Sequence, residues 1–161
     1  MKLRHQHRDT IIGIICMLLV LLFTYAALTK LLEGERFRTN LLNSPVMGGE
    51  TVADVASWSV PMAELVVALL LCIPKFRLAG LYGALGLLLI FTAYTMGILF
   101  FAPYTPCSCG GIITFLSWEQ HLALNGCCLL LTMVGIRLAQ RYNNNEKTVL
   151  SRCRLDRDGF L

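Results

Sequence analysis

Four runs of about 20 mostly apolar residues, joined by short polar segments, confine this chain to one kind of fold. They cover residues 11–32, 54–73, 78–102 and 118–138. Each is long enough to cross the roughly 30 Å hydrocarbon core of a bilayer as a helix. Within lipid a chain must satisfy its own backbone N–H and C=O groups, and a helix does so segment by segment. Composition agrees: 56% of the 161 residues are hydrophobic and 15% are charged, where soluble domains carry about 25% charged residues. The expected architecture is all-α, an integral membrane four-helix bundle over residues 11–138, with basic tails at 1–10 and 139–161. No basic stripe is interleaved with aromatics, so nucleic acid is not an expected partner. The lipid bilayer is.

Only Pro74-Lys75-Phe76-Arg77 separates the second and third runs, so these spans should form an antiparallel hairpin, with Pro74 stopping the first of them. Pro61 lies inside the second run. A helix that began there would have about 13 residues and a length of about 20 Å, too short to cross. The helix is therefore expected to start near Asp54 and to bend at Pro61, as membrane helices tolerate when neighbours satisfy the freed carbonyl. The first run exceeds the length of a signal-peptide core and no small-x-small site closes it, so it is expected to stay as a span.

Lysine and arginine are sorted along the chain. Lys2, Arg4 and Arg8 precede the first span, Lys75 and Arg77 lie in the hairpin turn, and Arg137, Arg141, Lys147, Arg152, Arg154 and Arg157 follow the last one. The other two connections carry only Arg36 and Arg38, with Lys30 at a helix end. Positive charge stays on the cytoplasmic side, so both termini are expected there and residues 33–51 and 103–117 outside. In a bacterium that places the two connections in the periplasm, where disulfides form and exchange.

Of seven cysteines, Cys16, Cys72, Cys127 and Cys128 lie in the apolar runs and Cys153 in the C-terminal tail, where a cysteine behaves as a small hydrophobe. Cys127 and Cys128 are sequence neighbours, about 100° apart on a helix, and make a poor disulfide pair. Cys107 and Cys109 differ, since they share a loop of Pro, Ser and Gly on the expected outer side. A disulfide across one residue closes a tiny ring, so it adds little stability, and strained or exposed disulfides are the labile ones. Ser117-Trp118-Glu119-Gln120 has the form of a capping box opening the fourth span, and a helix N-terminus can activate a nearby thiol. Three readings stand: a redox-active dithiol, a Cu(I) or Zn(II) site with His121 as a further ligand, and an inert structural pair. Whether the chain is an enzyme, a thiol-disulfide oxidoreductase, stays open with them.

Ionisable groups inside spans are functional candidates by default. Glu64 lies one turn after Pro61 and Lys30 at the end of the first span. A pair between them would neutralise both, either as a lock between helices or as a proton-handling pair for thiol chemistry. His121, one turn into the fourth span, is either an interface histidine or the base that deprotonates Cys107 or Cys109. Tyr25, Thr92, Tyr94, Thr95 and Asn125 are expected to hydrogen-bond between helices, and Ala79, Gly80, Gly83, Ala84 and Gly86 to form a close-packing surface. Phe37, Leu41 and Leu42 have helical spacing, which suggests a short amphipathic helix on the membrane surface. It would either cover the cysteine loop or simply join two spans.

Tyr25–Pro45, Val60–Leu71, Gly80–Thr95 and Pro106–Asn125 together resemble the MauE/DoxX family of redox-associated membrane proteins. The most specific matches are the Ala-x-x-Lys-Leu around Lys30, the Pro-x-x-Glu ending at Glu64 and the Cys-x-Cys-Gly at Cys107–Gly110. The fuller Cys-Ser-Cys-Gly-Gly resembles the form found in Bacteroidetes. The resemblance implies a four-helix membrane bundle with Cys107 and Cys109 as a redox pair, and Lys30 and Glu64 as motif residues. Its MauE branch implies disulfide formation in, or maturation of, periplasmic proteins. Its DoxX branch implies quinone-coupled sulfur oxidation, which makes a quinone the cofactor to expect. Many MauE-type loops have Phe where this chain has Gly110, and that departure leaves the client protein open.

The expectation is an inner-membrane protein passing electrons between periplasmic thiols and a quinone or another redox protein, through Cys107, Cys109, His121, Glu64 and Lys30. A thioredoxin-like protein would supply the second cysteine pair, since this chain has none outside. The alternatives are a non-catalytic anchor or subunit of a larger complex, and a copper- or zinc-binding membrane protein.

Overall fold

The computed structural model describes residues 2–43, 49–101 and 118–158. Five α-helices and one 3₁₀ turn account for nearly all of them: α1 (Lys2–Leu32), α2 (Gly34–Leu42), α3 (Glu50–Cys72), the turn Pro74–Phe76, α4 (Arg77–Phe101) and α5 (Trp118–Asp158). No strand occurs among the described residues. Four helices are long and apolar enough to cross a membrane, over Arg8–Leu32, Glu50–Cys72, Pro74–Phe100 and Gln120–Arg141. The all-α membrane bundle expected from the sequence is thus the observed class.

The helices reach beyond the apolar runs. Helix α1 begins nine residues before Ile11, α3 begins at Glu50 instead of near Asp54, and α5 continues to Asp158. Hydropathy marks where lipid would begin, whereas a helix ends only where its backbone bonds are broken or capped. Pro61 sits within α3 and is buried. At the other end of α3 the chain leaves helical geometry at Ile73, and Pro74 opens the 3₁₀ turn.

The four long helices follow one another around a ring. Helix α1 packs on α3 and α5, α4 packs on the same two, and the diagonal pairs barely touch. The core between them is built from Ile12, Ile15, Leu19 and Phe23 of α1, Val67, Ala68 and Leu71 of α3, Leu81, Ala84 and Leu88 of α4, and Cys128 and Ile136 of α5. The outward faces are also apolar: Met17, Leu21, Val55, Trp58, Leu69, Ile90, Phe100 and Leu130 are all largely exposed. A helix that is hydrophobic all round needs a lipid or protein neighbour on its outer face, and here the bilayer supplies it.

Only part of the small-residue surface on α4 is used. A Cβ at Gly80 would lie 2.9 Å from the Leu71 backbone nitrogen, and one at Gly83 would lie 2.9 Å from Val67 Cγ2. A Cβ at Gly86 would meet nothing within 4 Å. Gly135 of α5, which the sequence did not single out, packs against Ile15 and Leu81. Gly80→Val is accordingly expected to lower stability by about 1–3 kcal/mol, the usual overpacking range, because backbone must move. Gly86→Val should leave stability nearly unchanged, and denaturant unfolding in detergent compares the two.

Helix α2 forms where expected but faces elsewhere. Phe37 and Leu41 are buried against Ala53, with Ala56 and Val60 of α3 beside them. The short helix therefore spends its apolar face on the bundle and not on the membrane surface; Leu42 alone of the three stays exposed. Arg38 holds it in register through an ion pair with Asp54 and a 3.5 Å contact with Glu50. The Asp54 hydrogen bond, with its negative charge, keeps the Arg38 guanidinium above its ordinary range. At the opposite end of the bundle Asp9 of α1 lies 3.9 Å from Arg77 of α4.

Candidate functional site

Spacing puts Glu64 on the core side of α3. Pro61, Glu64, Val67, Ala68 and Leu71 recur every three or four residues and are all buried, as one face of a helix requires. Lys30 sits in the last turn of α1, and its side chain runs back toward the helix N-terminus, the direction helical side chains favour. It donates to Glu64 Oε1 at 2.5 Å and to the Ala26 carbonyl at 3.5 Å. The ammonium lies 5.1 Å from the centre of the Phe91 ring and 5.9 Å from that of Phe37, within cation–π range. Lys30 is 18% exposed and Glu64 is not exposed at all.

The pair that the sequence suggested is therefore present, and it is a meeting point for the whole fold. Helices α1 and α3 supply the charges, and α2 and α4 supply the aromatic faces. From α5 comes His121, half-buried and close enough to feel the Lys30 charge. Asn125 follows one turn later on the same face and is buried. Depth can be counted from Gly135, which faces Ile15 and Leu81. Ten residues along each helix, about 15 Å, bring Asn125, Tyr25 and Phe91 to one level, next to the Ala26 carbonyl that Lys30 reaches.

Three atoms in this cluster lack a partner among the described residues: Glu64 Oε2, His121 Nδ1 and Asn125 Nδ2. The threonines read as interhelical donors bond within their own helix instead, Thr92 to the Leu88 carbonyl at 2.6 Å and Thr95 to the Phe91 carbonyl at 2.8 Å. That is the local alternative open to a helical threonine. Side-chain bonds that do cross between helices include Lys30 to Glu64, Arg38 to Asp54 and, far from the cluster, Gln140 to Tyr82 at 2.5 Å.

Cys107 and Cys109 lie outside the described residues, as does Ser117 of the expected capping box. Cys16, Cys72, Cys127 and Cys128 are free thiols. Cys127 is exposed and its neighbour Cys128 buried, as adjacent helical positions pointing apart should be. Among the described residues no group of three His, Cys, Asp or Glu side chains is placed to hold a metal ion.

Sequence reasoning found Lys30, Glu64 and His121 because ionisable groups stand out in apolar runs. It missed Phe37 and Phe91 as partners of the ammonium, since one Phe among eight in a greasy chain carries no mark of its own.

These features define a class: a multi-pass, all-α membrane protein whose helices converge on a buried ion pair near one end. Within that class the chain can be placed further. The family model described as "Methylamine utilisation protein MauE" matches residues 8–138, and the chain belongs to this family. Searches of curated proteins and of solved structures returned no match.

Proposed function

We propose that the protein is a thiol-disulfide exchange protein of the bacterial inner membrane, with both termini in the cytoplasm and Cys107 and Cys109 facing the periplasm. One observation carries the reading: α4 ends and α5 begins at the end of the bundle where Lys30, Glu64 and His121 meet, and the residues joining these helices contain Cys107-Ser108-Cys109. A dithiol there would have a base and a charge pair beneath it.

In the proposed step one cysteine, as thiolate, attacks the disulfide of a thioredoxin-like partner. One partner sulfur joins the attacking cysteine as a mixed disulfide and the other leaves as a thiolate. The second cysteine then attacks the mixed disulfide, leaving this chain oxidised and its partner a dithiol. His121 takes the proton of each attacking thiol in turn and returns it to the partner sulfur that leaves. In this direction an electron pair from a quinol or a reduced redox protein resets Cys107 and Cys109; run in reverse, with the partner arriving as a dithiol and leaving oxidised, a quinone or an oxidised redox protein accepts the pair. The family's description speaks of methylamine utilisation, and a protein maturing in that process is the proposed client.

Trapping tests the reading. Cys107→Ser and Cys109→Ser, one at a time, remove the resolving thiol or the attacking one. One of the two should accumulate a mixed disulfide that disappears on reduction, while the other accumulates none. A membrane-impermeant maleimide should label the wild-type loop thiols from outside. If neither variant traps a partner and the loop thiols label only from the cytoplasm, the reading fails. Stoichiometric copper or zinc in the purified protein, lost in His121→Ala, would mark the metal-binding alternative instead.

A further inference from the structure

The unpartnered atoms around Lys30 form a set. Glu64 Oε2 is a carboxylate oxygen on a residue with no exposed surface, Asn125 Nδ2 is a buried donor, and His121 Nδ1 is buried on the same face of α5 one turn nearer the helix start. Lys30 has three ammonium protons, of which Glu64 Oε1 and the Ala26 carbonyl take two. Buried polar atoms left without partners cost about 1–3 kcal/mol each, so a core that keeps several together needs something to satisfy them. The requirement is for a ligand that both donates and accepts, is small enough for a bundle interior, and touches two to four polar groups. That describes water, which occupies buried polar sites on these terms.

We propose that Lys30, Glu64, Asn125 and His121 hold internal water, and that through this water Glu64 exchanges a proton with the α2 end of the bundle. The surroundings suit that role. Among the described groups Lys30 is the charged neighbour of Glu64, Phe37 and Phe91 face the ammonium from α2 and α4, and His121 and Asn125 come from α5. Below them the core is dry, with Phe23, Leu88 and Leu71 fully buried, so the route opens toward one side of the membrane only. The water site is independent of the thiol reading, although a proton acceptor beneath a dithiol would serve it.

The test uses the intact protein in lipid bilayers and has two parts. X-ray radiolytic labelling marks side chains beside bound water. Phe91 and His121 should be labelled severalfold faster than Phe23, and Asn125→Leu should slow labelling of Phe91 severalfold. Infrared spectra taken during acid titration should contain a carboxylic C=O band that is absent from Glu64→Gln. Labelling of Phe91 no faster than that of Phe23 would overturn the water site, and a missing Glu64 band would overturn the proton exchange. Should Asn125→Leu fail to fold, the wild-type labelling contrast decides alone. Repeating both parts in the Cys107→Ala/Cys109→Ala chain separates a failure here from a failure of thiol exchange.

Discussion

Lys30→Met by itself should lower the stability of the folded bundle by about 3–5 kcal/mol, the loss expected when one partner of a buried ion pair is removed. The reason lies in what stays behind. Glu64 has no exposed surface, one of its oxygens has no partner among the described residues, and the other is held by the Lys30 ammonium alone. Without Lys30 a carboxylate stays inside the bundle with no opposite charge beside it. The reverse change, Glu64→Leu, should cost less, because Lys30 is 18% exposed, keeps the faces of Phe37 and Phe91, and has a flexible stem that can carry its charge toward the nearby end of α1. Combining both changes should recover most of the loss, since replacing both charges with apolar groups is often neutral. Denaturant unfolding of the three variants in detergent forms a double-mutant cycle. Strictly additive losses would show that the two charges do not depend on each other. In acid the Lys30→Met deficit should shrink, as the stranded carboxyl takes up a proton and enters the core neutral.

How much of this was legible in the sequence differs from element to element. The four spans were, because about 20 apolar residues in succession leave a chain few other options. Their ends were not. Glu50–Ala53 of α3 and Gln140–Asp158 of α5 are polar or mixed, and nothing in hydropathy tells a helix that continues into water from one that stops at the lipid surface. The face of α2 was misjudged for a related reason. Phe37 and Leu41 have the spacing of a membrane-surface helix, and the same spacing serves a helix that packs on Ala53. A period of 3.6 says that one side is apolar, not what that side will meet.

At the candidate site, charge was easier to read than shape. Lys30 and Glu64 stood out because ions in apolar runs are expensive and tend to find each other. Asn125 was one of several polar residues with the same expected role, and its buried amide nitrogen, without a partner among the described residues, sets it apart. Thr92 and Thr95 looked equivalent to it in sequence, yet each had a carbonyl four residues back within its own helix. The Asn125 amide nitrogen makes no such bond among the described residues, so the bundle must provide for it.

Replacing Cys107 and Cys109 together by alanine should abolish thiol exchange while leaving the bundle as stable as before. The two halves of this expectation have separate physical causes. A nucleophile and its resolving partner act as a unit, and deleting such a unit commonly removes three or more orders of magnitude in rate. Stability should change little, since a bond across one residue restrains almost none of the unfolded chain. The helix contacts described above also run through the core, α2 and the Lys30–Glu64 pair, all of them outside residues 107–109. Turnover of a disulfide-bonded reporter peptide and the unfolding midpoint, measured on one preparation, give both halves. Full turnover in the double variant would mean that the cysteines do not exchange, and would leave the anchor or subunit role as the better account. A fall in midpoint comparable to that of Lys30→Met would mean that the cysteines brace the fold, so that lost turnover could no longer be assigned to chemistry.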